Sequence, residues 1–103
     1  MTRRLAWLVL LLALPAAADD HEVTQKDKSF SQTHLVVRRG DRVTFRNDDS
    51  VVHNVFSRSS GNEFEIRAQP PGMAQAVPLA SAGRVEVRCA IHPDMKMTID
   101  VKP

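Results

Sequence analysis

Tyrosine is absent from this sequence of 103 residues, cysteine occurs once, and aromatic residues make up only 5% of it. The solitary Cys89 excludes an internal disulfide. With so few rings available, a hydrophobic core has to rest on aliphatic side chains together with Phe30, Phe45, Phe56 and Phe64. Long runs of one charge sign are also missing. The charges alternate, as in Arg38-Arg39-Gly40-Asp41-Arg42, which describes a solvated surface and excludes a phosphate-binding stripe for nucleic acid. There is no internal repeat or low-complexity segment, and no stretch beyond the first 18 residues keeps a helical period of useful length. The longest apolar run, residues 5–14, is shorter than the roughly 18–20 residues that cross a hydrocarbon core.

That run makes sense as part of a secretory signal. Met1-Thr2-Arg3-Arg4 is a basic start, Pro15 ends the apolar run, and Ala16-Ala17-Ala18 supplies small residues with A-x-A spacing. The expectation is a cleaved signal peptide over residues 1–18 and a single domain over residues 19–103, working in the periplasm with no membrane contact after cleavage. No Cys stands at the cleavage site to carry a lipid anchor. Cleavage removes Arg3 and Arg4 but none of the 12 acidic residues, so the formal charge falls from +2 to near zero. Partners would then be recognised more by shape and apolar contact than by electrostatic steering.

The rest of the chain reads as strands. Leu35-Val36-Val37 and Val43-Thr44-Phe45 flank the turn signal Arg39-Gly40-Asp41. Val51-Val52 and Val55-Phe56 flank His53-Asn54, and Phe64 and Ile66 alternate with Glu65 and Arg67. A weaker strand holds Ala74 and Ala76 and is interrupted by Pro78. Val85 and Val87 alternate with charge, and Met97, Ile99 and Val101 keep a clean period of two. Residues 47–50, 57–62, 69–72 and 81–83 have loop composition, and residues 19–22 have the polarity of a frayed end, with His21 solvated. Short strands at this spacing predict an all-β fold, a two-sheet β-sandwich of about seven strands.

The chemistry is concentrated in Cys89-Ala90-Ile91-His92-Pro93-Asp94-Met95, which sets a thiolate, an imidazole and a thioether on one short loop between two strands. An unpaired cysteine in an oxidising compartment needs a reason, and metal ligation supplies one. Soft sulfur donors with imidazole suit copper, and one more histidine would complete a His2Cys set with a weak axial Met. His53 is the candidate, giving a metal site of His53, Cys89, His92 and Met95. Met97 competes with Met95 for the axial position, but it heads the alternating core face and reads as packing. Met73 reads as loop packing or part of an apolar rim. A Cys–His hydrolase lacks any locatable orienting group or oxyanion arrangement.

Val51-Val52-His53-Asn54-Val55 followed by C-x2-H-P-x-M resembles the cupredoxins, most closely the amicyanin and plastocyanin group, over roughly residues 23–103. The resemblance implies a Greek-key sandwich of seven to eight strands, one type 1 copper ion and one-electron transfer without enzymatic activity of its own. It also implies that Asn54 links the two ligand loops through hydrogen bonds. The partners implied are redox proteins, a dehydrogenase or a c-type cytochrome, met by a monomer at an apolar patch around His92. The family's aromatic residue ahead of the ligand Cys is missing here, where Val87-Arg88 precede Cys89. Two other readings use the same residues differently: a copper storage or delivery module, and a metal-free interaction domain.

Overall fold

The computed structural model describes residues 17–103. Residues 1–16, and with them nearly all of the expected signal peptide, lie outside the described residues. The described residues form nine strands: β1 (Asp20–Lys26), β2 (Ser29–Phe30), β3 (His34–Arg38), β4 (Arg42–Asn47), β5 (His53–Ser57), β6 (Phe64–Gln69), β7 (Ala74–Pro78), β8 (Gly83–Arg88) and β9 (Lys96–Lys102). They make two sheets, β2-β1-β4-β7 and β3-β9-β8-β5-β6. The chain crosses between sheets five times, so the strand order is that of a sandwich, not a meander.

The expected architecture holds, and the strand count exceeds the expected seven to eight. The excess arises at the start of the chain. Residues 20–22 are not frayed; they pair in parallel with β4, Asp20 opposite Arg42 and Val23 opposite Phe45. His21 is tied down as well, its Nε2 3.0 Å from Asp41 Oδ2. The polar composition that suggested a loose end is the outer face of an ordered strand. There Arg42 Nε donates to Asp20 at 2.7 Å, and Arg46 Nε donates to Glu22 at 3.2 Å. Such exposed cross-strand pairs are each worth a fraction of a kcal/mol, roughly 0.2–1, enough to favour register but not to build a core.

The core lies between the sheets. Val23, Val43, Phe45 and Val77 of the first sheet meet Val37, Val55, Ile66, Val85, Val87, Ile99 and Val101 of the second, all buried. Period-two alternation explains each of these positions. Phe45 is the centre, fully buried and packed edge-on to Phe30 at 6.3 Å and tilted against Phe64 at 5.7 Å. Phe56 does not join them. With His53, Val55 and Ser57 facing inward, parity sends Phe56 to the outer face, where the Arg58 guanidinium sits 5.2 Å from its ring centre.

One break in parity matters for function. His53 pairs with Gln69, but Val55 pairs with Ile66, so β6 carries one extra residue. Ala68 takes it up with a left-handed φ of 35°. This bulge lets Ile66 and Gln69, three residues apart, both face the core. The buried Gln69 amide donates to the Phe45 carbonyl at 2.8 Å and the Met73 carbonyl at 3.0 Å, and its oxygen accepts from buried Gln25 at 2.7 Å. Asn47, also fully buried, donates to the carbonyls of Gln69 and Val51 at 2.8 and 2.9 Å and accepts from the Asp49 N–H at 2.9 Å. Buried polar groups remain tolerable only when bonded in this way. The network pins the loops that follow β4 and β6 to one end of the sandwich.

Two stability measurements check this division between core and network. Phe45→Ala should cost about 3–5 kcal/mol in urea unfolding, because it opens a cavity between two rings. Gln69→Leu conserves the volume but strands the Gln25 amide and two carbonyls. It should cost about 2–4 kcal/mol, and a loss below 1 kcal/mol would show that the network contributes little.

Candidate metal centre

Where β5 and β8 meet, their pairing is confined to Phe56 opposite Arg88. Beyond that point the strands diverge, leaving His53 at the start of β5 and Cys89 just past β8 facing each other. His53 Nδ1 lies 3.9 Å from Cys89 Sγ, and His92 Nδ1 lies 3.8 Å from the same sulfur. The two imidazoles are edge to face with centres 5.0 Å apart. All three donor atoms fall within 4.8 Å of one another. Metal–donor bonds of about 2.0–2.3 Å at a trigonal angle would put nitrogen and sulfur about 3.8 Å apart, so the spacing fits one ion shared by the three.

Each donor is positioned by a different part of the chain. His53 has no solvent exposure, so both of its nitrogens need partners. Nε2 lies 2.9 Å from Asp49 Oδ2. A carboxylate can only accept, so Nε2 carries the proton and Nδ1 turns its lone pair toward Sγ. Asp49 is itself fixed: its Oδ2 accepts from the Lys28 N–H at 2.8 Å and its Oδ1 from the Ser50 N–H at 2.8 Å. The Lys28 N–H first, and then the His53 ring, lower the Asp49 carboxyl to about 2, keeping it ionised at neutral pH. Lys28 reaches it from the β1–β2 hairpin, where Asp27 and Lys28 both adopt left-handed φ values of 51° and 56°, the geometry of a tight two-residue turn.

The second ligand loop holds itself together. The Cys89 N–H donates to the Met95 carbonyl at 3.2 Å, and the Met95 N–H donates to the His92 carbonyl at 2.9 Å. Residues 89–95 therefore form a closed turn with Met95 beside both other members. Cys89 and Met95 are 3% and 1% exposed, whereas His92 is half-buried. Met97 is buried too, but within β9 and opposite Val87.

The link between the loops that the resemblance implied is present, and Asn54 makes it through its main chain. It is the main-chain N–H of Asn54 that reaches Cys89 Sγ, at 3.4 Å, a donor aimed where a thiolate would carry its charge. The Asn54 amide turns instead to Glu65 at 3.3 Å, and its Oδ1 is buried without a partner. Asp49, Asn47, Gln25 and Gln69 went unrecognised in the sequence. The loop motif Asn47-Asp48-Asp49-Ser50, with Asp49 four residues ahead of His53, was the available signal. His34 is exposed and bonded to Thr98 at 2.9 Å.

Around this end, Val52, Met73 and Ile91 are large apolar side chains 41%, 42% and 54% exposed, and Pro70, Pro71 and Pro93 are exposed beside them in sequence. Such a grouping of exposed apolar residues beside a half-buried histidine is a candidate contact surface.

No protein-family model matches the chain. Methylamine utilization protein MauL of Methylorubrum extorquens is 36% identical over 102 residues, which span 98% of this chain and 90% of that protein. Among solved structures, a purple cupredoxin from Nitrosopumilus maritimus has a TM-score of 0.71 at 22% identity, over 81% of this chain and all of that one. A reduced amicyanin variant has a TM-score of 0.74 at 22% identity, over 87% of each chain. A copper-containing nitrite reductase from Thermus scotoductus scores 0.75 at 22% identity, but the match takes in 82% of this chain and only 22% of the reductase. The structural likenesses speak for the fold and the sequence likeness for descent: the chain belongs to the MauL family and has the cupredoxin fold.

Proposed function

We propose that this protein is a periplasmic one-electron carrier, a monomer with a single type 1 copper ion held by His53, Cys89, His92 and Met95. The observation that carries the reading is the convergence of His53 Nδ1, Cys89 Sγ and His92 Nδ1 at trigonal spacing. A His2Cys set with a nearby thioether is the donor chemistry of a blue copper centre. Bound copper would supply reversible one-electron chemistry between its two common oxidation states. The protein's part is to hold the donors still. Met95 is the better axial candidate than Met97, since its main chain is bonded to the residues on both sides of the loop and Met97 is committed to β9. Four side-chain donors leave no position for a substrate, so the domain is a carrier and not an enzyme.

His92 alone of the three converging donors reaches the surface, so a partner's closest approach is at its edge, within the apolar patch of Val52, Met73 and Ile91. The MauL relative's name ties it to methylamine utilization. The partners that fit are therefore redox proteins of amine oxidation, a dehydrogenase on one side and a c-type cytochrome on the other. Copper delivery, the competing reading, calls for ligands that exchange easily. A histidine with no exposure and a cysteine with 3% argue against it. Processing after Ala18 belongs to the same proposal, because Ala17 and Ala18 are exposed and precede the first strand.

Adding Cu(II) to the protein should give an intense visible thiolate-to-copper band at one equivalent, absent from Cys89→Ser. A colourless, weakly bound Cu(II) would point to delivery instead. Met95→Leu should shift the reduction potential and the spectrum, while Met97→Leu leaves both in place and costs less than about 1.5 kcal/mol of stability. If Met97→Leu moves the potential and Met95→Leu does not, the axial assignment is reversed. Ile91→Glu would set an unpaired carboxylate in the apolar contact and should slow electron transfer to a partner by at least about tenfold, roughly 1.4 kcal/mol, with the spectrum unchanged. An unaltered rate would remove the docking surface from the patch.

A further inference from the structure

Far from the candidate metal centre, the opposite end of the sandwich holds a second carboxylate set against a histidine, and this one is buried. Asp41 follows Gly40 in the turn between β3 and β4 and is 5% exposed. Its Oδ2 accepts from the Arg38 N–H at 3.0 Å and lies 3.0 Å from His21 Nε2. Its Oδ1 accepts from the main-chain nitrogen of Asp19 at 3.0 Å. Asp19 is held from the other side too, its carbonyl accepting from the Arg42 N–H at 3.0 Å. Ala17 and Ala18 are exposed, so the chain leaves the fold immediately ahead of the nitrogen that Asp41 grips. Asp19 is also the first residue after the A-x-A cleavage signal.

We propose that Asp41 is the built receptor for the protein's processed N-terminus: cleavage between Ala18 and Asp19 turns an amide N–H already seated on a buried carboxylate into an ammonium, and so locks β1 to the β3–β4 turn. The inference rests on the processing reading given above. Hydrolysis by a signal peptidase adds one water, leaving a carboxylate on Ala18 and a free amine on Asp19. The amine binds a proton at neutral pH, and the site gains a full positive charge without any atom of the fold having to move. Before cleavage the same carboxylate has only neutral amide donors and the titratable His21 ring. The ammonium at exposed Asp19 would meet a buried carboxylate that the Arg38 N–H already holds in place, so the charge-assisted bond forms with its geometry preset. The charged and titratable groups facing this cleft are Asp19 itself, His21 from β1, Arg38 from β3, Lys102 from β9 and the α-carboxylate of Pro103. Arg42 is taken up by Asp20 on the outer face.

The pH window follows from the two partners. The His21 contact first, then the Arg38 and Asp19 N–H groups, lower the Asp41 carboxyl from 3.8 to about 2. Its contribution is therefore complete above about pH 4 and lost as pH falls toward 2. The ammonium works in the opposite sense. An amine paired with a carboxylate titrates above the ordinary range of about 7.7–8.0, so its contribution is complete below that range and lost as pH rises through the folded-state value. The pair should act from about pH 4 to beyond pH 8.

The test uses copper-loaded protein that begins at Asp19, released from a cleavable fusion, with its amine free or acetylated and with Asp41 or Asp41→Asn. In the free form, the α-amine followed by NMR should titrate at least about one unit above 8. Acetylation should lower the melting temperature by several degrees at pH 7 and by nothing at pH 11. In Asp41→Asn the amine should titrate in the ordinary range, and acetylation should have no effect. A free amine titrating near 8, or equal melting of the free and acetylated forms at pH 7, overturns the proposal. The intact mass of the chain recovered after export tests processing separately. A mass other than that of residues 19–103 removes the processing reading, and with it the role of the pair in maturation, whatever the amine titration shows.

Discussion

A histidine buried without any solvent contact is the constraint around which this end of the molecule is organised. An imidazole in that position needs a partner at each nitrogen, and His53 finds Asp49 at one and the Cys89–His92 side at the other. Satisfying the first fixes the tautomer, and fixing the tautomer aims the second. Asp49 can do this only because the β1–β2 hairpin gives it an amide donor, at the expense of two consecutive residues in left-handed backbone. That strain has its explanation at the metal centre, 25 residues along the chain from Lys28, and not in the hairpin itself.

The same end carries a further layer of support that joins the sheets. Gln25 belongs to β1, Asn47 to β4 and Gln69 to β6, so their amides tie strands of both sheets together. The bulge at Ala68 is what makes this possible, since regular alternation would have turned Gln69 to the solvent. The loop after β6 and the loop before β5 are then attached to one buried cluster through the carbonyls of Met73 and Val51. The proposed carrier role needs donors that move little between oxidation states, and a polar network bonded at every amide but for Gln25 Oε1 is stiffer than apolar packing alone.

Much of this was legible in the sequence, and the failures have identifiable causes. Alternation located β3 to β9, and the composition of residues 89–95 marked the ligand loop, because both signals are local. The converging trio was legible because Cys89, unable to form an internal disulfide, needed explaining. What could not be read depends on register. The position of Phe56 follows from the parity that His53 sets, and the inward turn of Gln69 follows from one inserted residue that no local pattern marks. The strand at residues 20–22 was missed because its outer face is charged and its inner face is short. Asp49 was hidden by its company, one acidic residue in a loop of four polar ones, although its distance from His53 was visible. The link that Asn54 makes between the ligand loops was implied by the resemblance, but not its route through the main-chain N–H, which every residue type supplies and no side chain identifies.

The two ends of the sandwich use histidine-paired carboxylates in different ways, and the difference separates function from assembly. Asp49 and Asp41 each accept two main-chain N–H bonds and lie against one histidine. At Asp49 the histidine is wholly enclosed and its far nitrogen faces a thiol, so the carboxylate directs a donor. At Asp41 the histidine lies at a partly exposed edge with no metal-binding side chain described beyond it, and one of the amides is that of Asp19, just ahead of β1. A carboxylate there directs nothing toward a reacting centre; it can only hold the first strand in place. β1 carries Gln25 at its other end, and Gln25 is bonded to Gln69. A strand held at Asp19 is therefore the arm that supports the candidate metal centre, and the grip ahead of β1 and the order of His53 are connected through the seven residues of that strand.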